Sequence, residues 1–149
     1  MQRSMGRLQG LGTAALRFVV GLVFLVHGGQ KLFVYHFAGT AGFFDKAGIP
    51  LAGLFGVVVP LVEFLGGIAL ILGLGTRVAA ILLAINMLGA IYFVHAKNGF
   101  SMQTGGYEYA LTLLVANLSL ALSGSGAAAL DNLLFKPRGR QPVARPIAA

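Results

Sequence analysis

The sequence contains no cysteine and little charge. Of its 149 residues, only 10% are Asp, Glu, Lys or Arg, and 57% are apolar. Without cysteine the chain forms no disulfides, relays no electrons through thiols and holds no iron–sulfur cluster through thiolates. Any redox role would therefore need a bound organic cofactor or a partner protein. Soluble domains are about one-quarter charged, so the composition predicts a membrane protein.

The apolar residues come in four long blocks, and each block is close to the ~20 residues that a helix needs to cross about 30 Å of hydrocarbon. The predicted spans are about 13–34, 51–74, 77–96 and 107–122. They form one membrane domain, 13–134, between a basic N-terminal segment, 1–12, and a basic flexible C-terminal tail, 135–149. The predicted fold class is all-α, an integral membrane four-helix bundle.

The basic residues concentrate on one side of these spans. The chain has eleven Lys and Arg against four Asp and Glu, for a net charge of +7. With four crossings, only Lys31, Lys46 and Lys97 fall on the side opposite the termini. The positive-inside rule then places both termini in the cytoplasm. Anionic lipid explains the basic excess without nucleic acid, and the predicted location is the cell (inner or cytoplasmic) membrane.

Small and polar residues share one face of the predicted second span: Gly56, Pro60, Glu63 and Gly67. Helices in lipid associate through close packing of small residues and through polar contacts, so this face should contact another helix. A similar stripe in the first span comprises Gly21, Phe24, Gly28 and Lys31. Two amides in the later spans, Asn86 and Asn117, are expected to form interhelical hydrogen bonds.

Ionisable side chains within apolar helices are costly and are functional candidates by default. Glu63 lies about 18 Å into its span, near the bilayer midplane, at ~1.5 Å per residue. His27 and Lys31 lie one turn apart on the first span, with Gln30 beside them. The predicted topology gathers a polar cluster in the outer half of the bundle, above Glu63: His27, Lys31, His95, Tyr107, Glu108 and Tyr109.

Two interpretations of this polar cluster remain open. It is either a ligand chamber or a buried ion-pair network that holds the helices in register, through pairs such as Lys31–Glu108 or His27–Glu63. For Glu63 itself, the candidate partners are His27 and, by a bent path, Lys31. The three histidines have no carboxylate at the H-E-x-x-H spacing, so no metal site is predicted.

Five motifs resemble the DoxX family of small bacterial and archaeal membrane proteins. In chain order they read "GLVFLVHGGQKLF", "GTAGFFDKAGIP", "LVEFLGGIALILGLGTR", "HAKNGF" and "GGYEYALTLL". The resemblance covers roughly residues 14–134. It implies four membrane helices and, for some members, a role as membrane subunits of thiosulfate:quinone oxidoreductases or in redox stress and quinone handling. It also adds Asn98 to the polar positions.

The leading hypothesis is a quinone-interacting redox or stress-response protein, or a membrane subunit of an oxidoreductase. The candidate catalytic residues are His27, Glu63 and Glu108. The candidate ligand-binding residues are Gln30, Lys31, His95, Asn98 and Tyr107. Quinone is the expected cofactor, and the expected partners are membrane lipid, a redox protein and a second copy of the chain. The alternative is a non-enzymatic membrane scaffold, or a small-solute or proton pathway.

Overall fold

The computed structural model describes residues 2–134, with side chains from residue 8 onward, and every regular element in this range is helical. The predicted tail, 135–149, lies outside the described residues. The α-helices are α1 (Gln2–Gly29), α2 (His36–Lys46), α3 (Ala52–Leu72), α4 (Thr76–Ala90), α5 (Glu108–Ser123) and α6 (Leu130–Leu134). Single π-helical turns extend two of them: Gln30–Val34 continues α1, and Ile91–His95 continues α4.

Three helical stretches are long and apolar enough to cross a membrane: Leu8–Val34, Ala52–Leu72 and Thr76–Asn98. The prediction of an all-helical protein with several helices that can cross a membrane is therefore confirmed. The fourth apolar helix, α5, has 16 residues and is about 24 Å long, so it is shorter than the ~30 Å hydrocarbon core. A fourth crossing and cytoplasmic termini stay predictions. Helix α1 already begins at Gln2, within the predicted basic segment 1–12.

Helices α1 and α3 pack together through glycines. A Cβ added at Gly28 would overlap the backbone nitrogen of Phe64, and one added at Gly67 would overlap the backbone of Leu25. The predicted contact face of α3 is confirmed, because all four of its small and polar residues are buried. The stripe on α1 is confirmed as well, since its first three residues are buried and Lys31 is half-buried.

The connection between α1 and α3 folds back on the bundle as helix α2. The chain reverses at His36, which has φ +56°, and α2 then packs on α3 with Ala41 against Gly56. We call this end of the bundle, which carries α2 and residues 96–107, the loop end.

The opposite end carries the tight link between α3 and α4, and we call it the hairpin end. Asp131 of α6 accepts hydrogen bonds from the backbone N–H groups of Gly75 (2.7 Å) and Thr76 (3.2 Å), at the N-terminus of α4. The Arg17 side chain is buried and donates to the carbonyl of Ala128. These contacts hold α6 against the hairpin end. The Asp131 carboxylate lies at the N-terminus of α4, where a negative charge is favourable.

Candidate functional site

The side chains of Lys31 and Asn86 both contact Glu63, so three helical segments meet at this carboxylate. The Glu63 side chain is almost fully buried; its Oε2 accepts from Lys31 Nζ at 2.5 Å, and its Oε1 accepts from Asn86 Nδ2 at 2.8 Å. Both carboxylate oxygens therefore have a partner, which buried charges require. This Lys31–Glu63–Asn86 triad contains the one salt bridge among the described side chains, 8–134.

The contacts within the triad show which of the predicted side-chain pairs form. Pairing of Glu63 with Lys31 and an interhelical hydrogen bond from Asn86 are both confirmed. The alternative pairs His27–Glu63 and Lys31–Glu108 are wrong. The interhelical hydrogen bond expected of Asn117 is also wrong, because its Nδ2 donates to the carbonyl of Leu113 on the same helix.

A cavity of about 640 Å³ lies on the loop-end side of the triad, between α1, α3, α4 and α5. Its walls are mostly apolar, and its volume falls in the ~300–1,000 Å³ range of small-molecule sites. Six polar or titratable side chains line it: His27, Lys31, Glu63, Asn86, His95 and Tyr109. His27 and Tyr109 form a pair of neighbouring rings with centroids 6.5 Å apart. The cavity thus combines an apolar space with a few convergent polar groups.

The roof of the cavity is built at the loop end from the end of α2 and from the segment between α4 and α5. Phe43 and Phe44 contribute from α2, and Met102 and Gly105 from the segment. His95 Nδ1 lies 2.8 Å from the Gly105 carbonyl oxygen. Since a carbonyl only accepts, Nδ1 donates in this hydrogen bond. His95 is therefore both a cavity wall and an attachment point for the roof.

Four of the predicted site residues do not line the cavity. Glu108 Oε2 accepts from the Met102 backbone N–H at 3.0 Å, and Asn98 Nδ2 donates to the Gly105 carbonyl at 3.2 Å. The Tyr107 ring packs edge-on against Phe100, and Gln30 is exposed. The expected convergence of Glu108 and Tyr107 with Glu63 is therefore wrong, because the segment folds back and engages them in the roof.

Sequence reasoning placed Asn86 in helix packing and missed it as part of the site. A signal was available in the α3–α4 hairpin. Glu63 lies nine residues before the end of α3, and Asn86 lies ten residues after the start of α4. At ~1.5 Å per residue both are about 14–15 Å from the hairpin, so an antiparallel pair puts them at one depth.

The π-helical turns had no evident sequence signal. One carries Lys31 and the other carries His95, and both residues line the cavity. Such turns are rare and occur frequently at functional sites. Both of them lie at the loop end, where α1 and α4 approach the roof.

Comparison with known proteins agrees with this architecture. The sequence profile of the DoxX family matches residues 12–96. The chain is 36% identical to the "Putative oxidoreductase CatD" of Bacillus subtilis, over 85% of this chain and 89% of that protein. It is 30% identical to the "Inner membrane protein YqjF" of Escherichia coli, over 89% and 98% respectively.

A further relative is the "Uncharacterized membrane protein Rv3486" of Mycobacterium tuberculosis, 37% identical over 81% of this chain and 80% of that protein. No solved structure matches the chain. The profile match covers more than half of the sequence, and the relatives align over most of their own length. The chain therefore belongs to the DoxX family of membrane proteins, and its predicted location in the cell membrane is confirmed.

Proposed function

We propose that this protein binds a quinone headgroup in the cavity, as a membrane redox or stress-response protein or as the membrane subunit of an oxidoreductase. The observation that carries the proposal is the combination of a mostly apolar cavity of about 640 Å³ with the Lys31–Glu63–Asn86 triad in its wall. The name of the Bacillus subtilis relative, "Putative oxidoreductase CatD", supports a redox function as well.

The donors at the cavity wall fit a quinone. Lys31 has three N–H donors, of which one serves Glu63, and its side chain keeps 24% exposure at the cavity. Quinone carbonyls only accept hydrogen bonds, so they match an ammonium group. The triad carries one positive and one negative charge, and its net charge is zero. That balance favours a neutral ring over a phosphate or a carboxylate.

The residues around the cavity have distinct tasks in this proposal. A quinone, when bound, supplies two-electron, two-proton redox chemistry. Lys31 and His27 orient the ring by donating hydrogen bonds, and the Glu63 carboxylate accepts from Lys31 and so positions its ammonium group. Phe43 and Phe44 in the roof restrict the entry of water. Because the chain has no cysteine, we expect the electrons to come from a partner protein.

The complete pairing of Glu63 favours a second candidate function. In a non-enzymatic membrane scaffold, the triad would hold α1, α3 and α4 in register and the cavity would bind nothing. Removal of one member of the triad would then lower the stability of the fold but would change no ligand affinity. A ligand measurement therefore separates the two functions.

Quinone should stabilise the purified protein against thermal unfolding. A ligand at a hundred times its Kd adds about 2.7 kcal/mol of stability, so decylubiquinone should raise Tm by several degrees. The double variant Lys31→Met/Glu63→Leu should lose this shift, because the ammonium donors of Lys31 are gone and no charge is left unpaired. Lys46→Met is the matched control, since Lys46 is exposed at the end of α2 and does not line the cavity.

The thermal shifts of the three proteins distinguish quinone binding from the scaffold function. A shift in wild type and in Lys46→Met that disappears in the double variant supports quinone binding beside the triad. An equal shift in the double variant would show that the triad does not hold the ring. If wild type shows no shift up to saturating quinone, the scaffold function replaces the quinone proposal.

A further inference from the structure

We infer that the cavity has a lateral port between α3 and α4, through which the hydrocarbon chain of a neutral, long-chain ligand leaves the bundle while its ring stays at the triad. This inference rests on the proposed function and specifies the ligand class: a quinone whose ring carries a long apolar chain. It assigns a role to three lining residues that the polar site does not use.

The port is visible as lining residues that are also exposed on the outside of the bundle. Val58 of α3 is 39% exposed, and Leu82 and Ile85 of α4 are 47% and 59% exposed, yet all three line the cavity. Each of these side chains therefore contacts the cavity on one side and the outside of the bundle on the other, as residues at an opening would. Toward the hairpin end the opening is bounded at about the depth of Leu82, where the next residue, Leu83, packs on Gly66 of α3.

The port lies at the depth of hydrocarbon. Helix α3 is about 31 Å long, and Val58 lies about 21 Å from its hairpin end at ~1.5 Å per residue. On α4, Leu82 and Ile85 lie about 9 and 14 Å from that end by the same rise. The opening therefore extends from about 9 to 21 Å from the hairpin end, a range that includes the level of Glu63, and all three of its residues are apolar.

The depth of the port in the bilayer restricts the kind of ligand that can use it. A phospholipid would have to bring a charged phosphate to the bilayer midplane in order to reach the triad, and charges at that depth are costly. A neutral ring has no such penalty, and its chain passes from the cavity into surrounding hydrocarbon without crossing a polar surface. A small water-soluble solute has no need of an apolar side opening. A neutral ring that carries a hydrocarbon chain therefore suits both the triad, beside which the ring binds, and the port, through which the chain reaches the lipid.

Blocking the port tests the inference. Leu82→Trp should fill the opening and weaken binding of decylubiquinone by at least about tenfold, equivalent to about 1.4 kcal/mol. Binding of 2,3-dimethoxy-5-methylbenzoquinone, the same ring without a chain, should stay within about twofold of wild type, well below one factor of ten. Ile85→Trp should act in the same way and provides a second variant if Leu82→Trp does not fold.

Ile81→Trp is the matched control. Ile81 is adjacent on α4 and 49% exposed, but it does not line the cavity, so both quinones should bind this variant as they bind wild type. Dissociation constants for the two probes, measured on the purified full chain in detergent, give the comparison.

Each result has a defined meaning. Selective loss of the chain-bearing quinone in Leu82→Trp and Ile85→Trp supports the port. Unchanged binding of decylubiquinone in both variants, or equal loss of both probes, overturns the port while quinone binding itself stands. If neither probe binds wild type, the proposed function fails and the port fails with it.

Discussion

Glu63→Leu alone should destabilise the protein by about 3 kcal/mol, and the addition of Lys31→Met should restore most of that loss. The single variant leaves the Lys31 ammonium without its counter-ion and Asn86 without its acceptor. Removal of one partner of a buried pair typically costs about 3–5 kcal/mol, and the partial exposure of Lys31 places the expected loss at the low end. The double variant removes both charges, so no ion remains unpaired.

The free energy of unfolding in mixed micelles of dodecyl maltoside and sodium dodecyl sulfate provides the measurement. Glu63→Gln is the conservative comparison, because its amide oxygen still accepts from Lys31 and its amide nitrogen can donate to the Asn86 side-chain oxygen once the Asn86 amide turns over. It should lose less stability than Glu63→Leu. If Glu63→Leu is as stable as wild type, the triad does not hold these helices together.

Gly28→Ala should destabilise the protein by about 3 kcal/mol or more, whereas Gly29→Ala should be neutral or slightly stabilising. A methyl group at Gly28 would overlap the backbone of Phe64. Backbone cannot move aside like a flexible side chain, so α1 and α3 must separate, and overpacking of this kind costs at least ~1–3 kcal/mol. At Gly29 the nearest atoms are ring carbons of Phe64 at 3.8 Å, which is ordinary contact.

The two variants form a matched pair, because the same change is made at consecutive positions of one helix. Alanine in a helix interior is favoured over glycine by up to about 1 kcal/mol, and Gly29→Ala should show this gain alone. Unfolding in the same micelles measures both. Equal stability of the two variants would contradict the close approach of α1 and α3 at Gly28.

The helix contacts could be read from the sequence because they follow periodicity. The stripe on α3 falls on one face at helical spacing, and the same is true of Gly21 and Gly28 on α1. Lipid leaves small and polar faces only one favourable environment, which is another helix. Periodicity therefore predicted which faces are buried, and the structure buries them.

The structure of the loop end could not be predicted from helical periodicity. Periodicity says nothing of where a non-repetitive segment turns, and the return of residues 99–106 over the cavity supplies the N–H that engages Glu108. The Lys31–Glu63 contact depends on a π-helical turn and on a long side chain that bends toward the midplane, and spacing on an ideal helix fixes neither. Asn86 is different, since counting from the hairpin places it beside Glu63.

The structural and the ligand-binding interpretations of the triad are compatible. Asn86 and Lys31 satisfy the Glu63 carboxylate, which stabilises the bundle, and Lys31 also lines the cavity in which we propose that a quinone ring binds. Stability measurements on the triad variants report the first role, and quinone affinity reports the second. The double variant Lys31→Met/Glu63→Leu separates the roles because it should keep the fold and lose the ligand.

The most direct test of quinone binding in this cavity is photolabelling of the purified protein with an azidoquinone, followed by mass-spectrometric mapping of the modified residues. We expect saturable labels on cavity-lining stretches of α4 and of the roof, such as 85–95 and 102–113, and competition by unlabelled decylubiquinone. Labels spread over exposed residues outside the cavity, such as Leu118 and Leu122, without competition, would contradict the account.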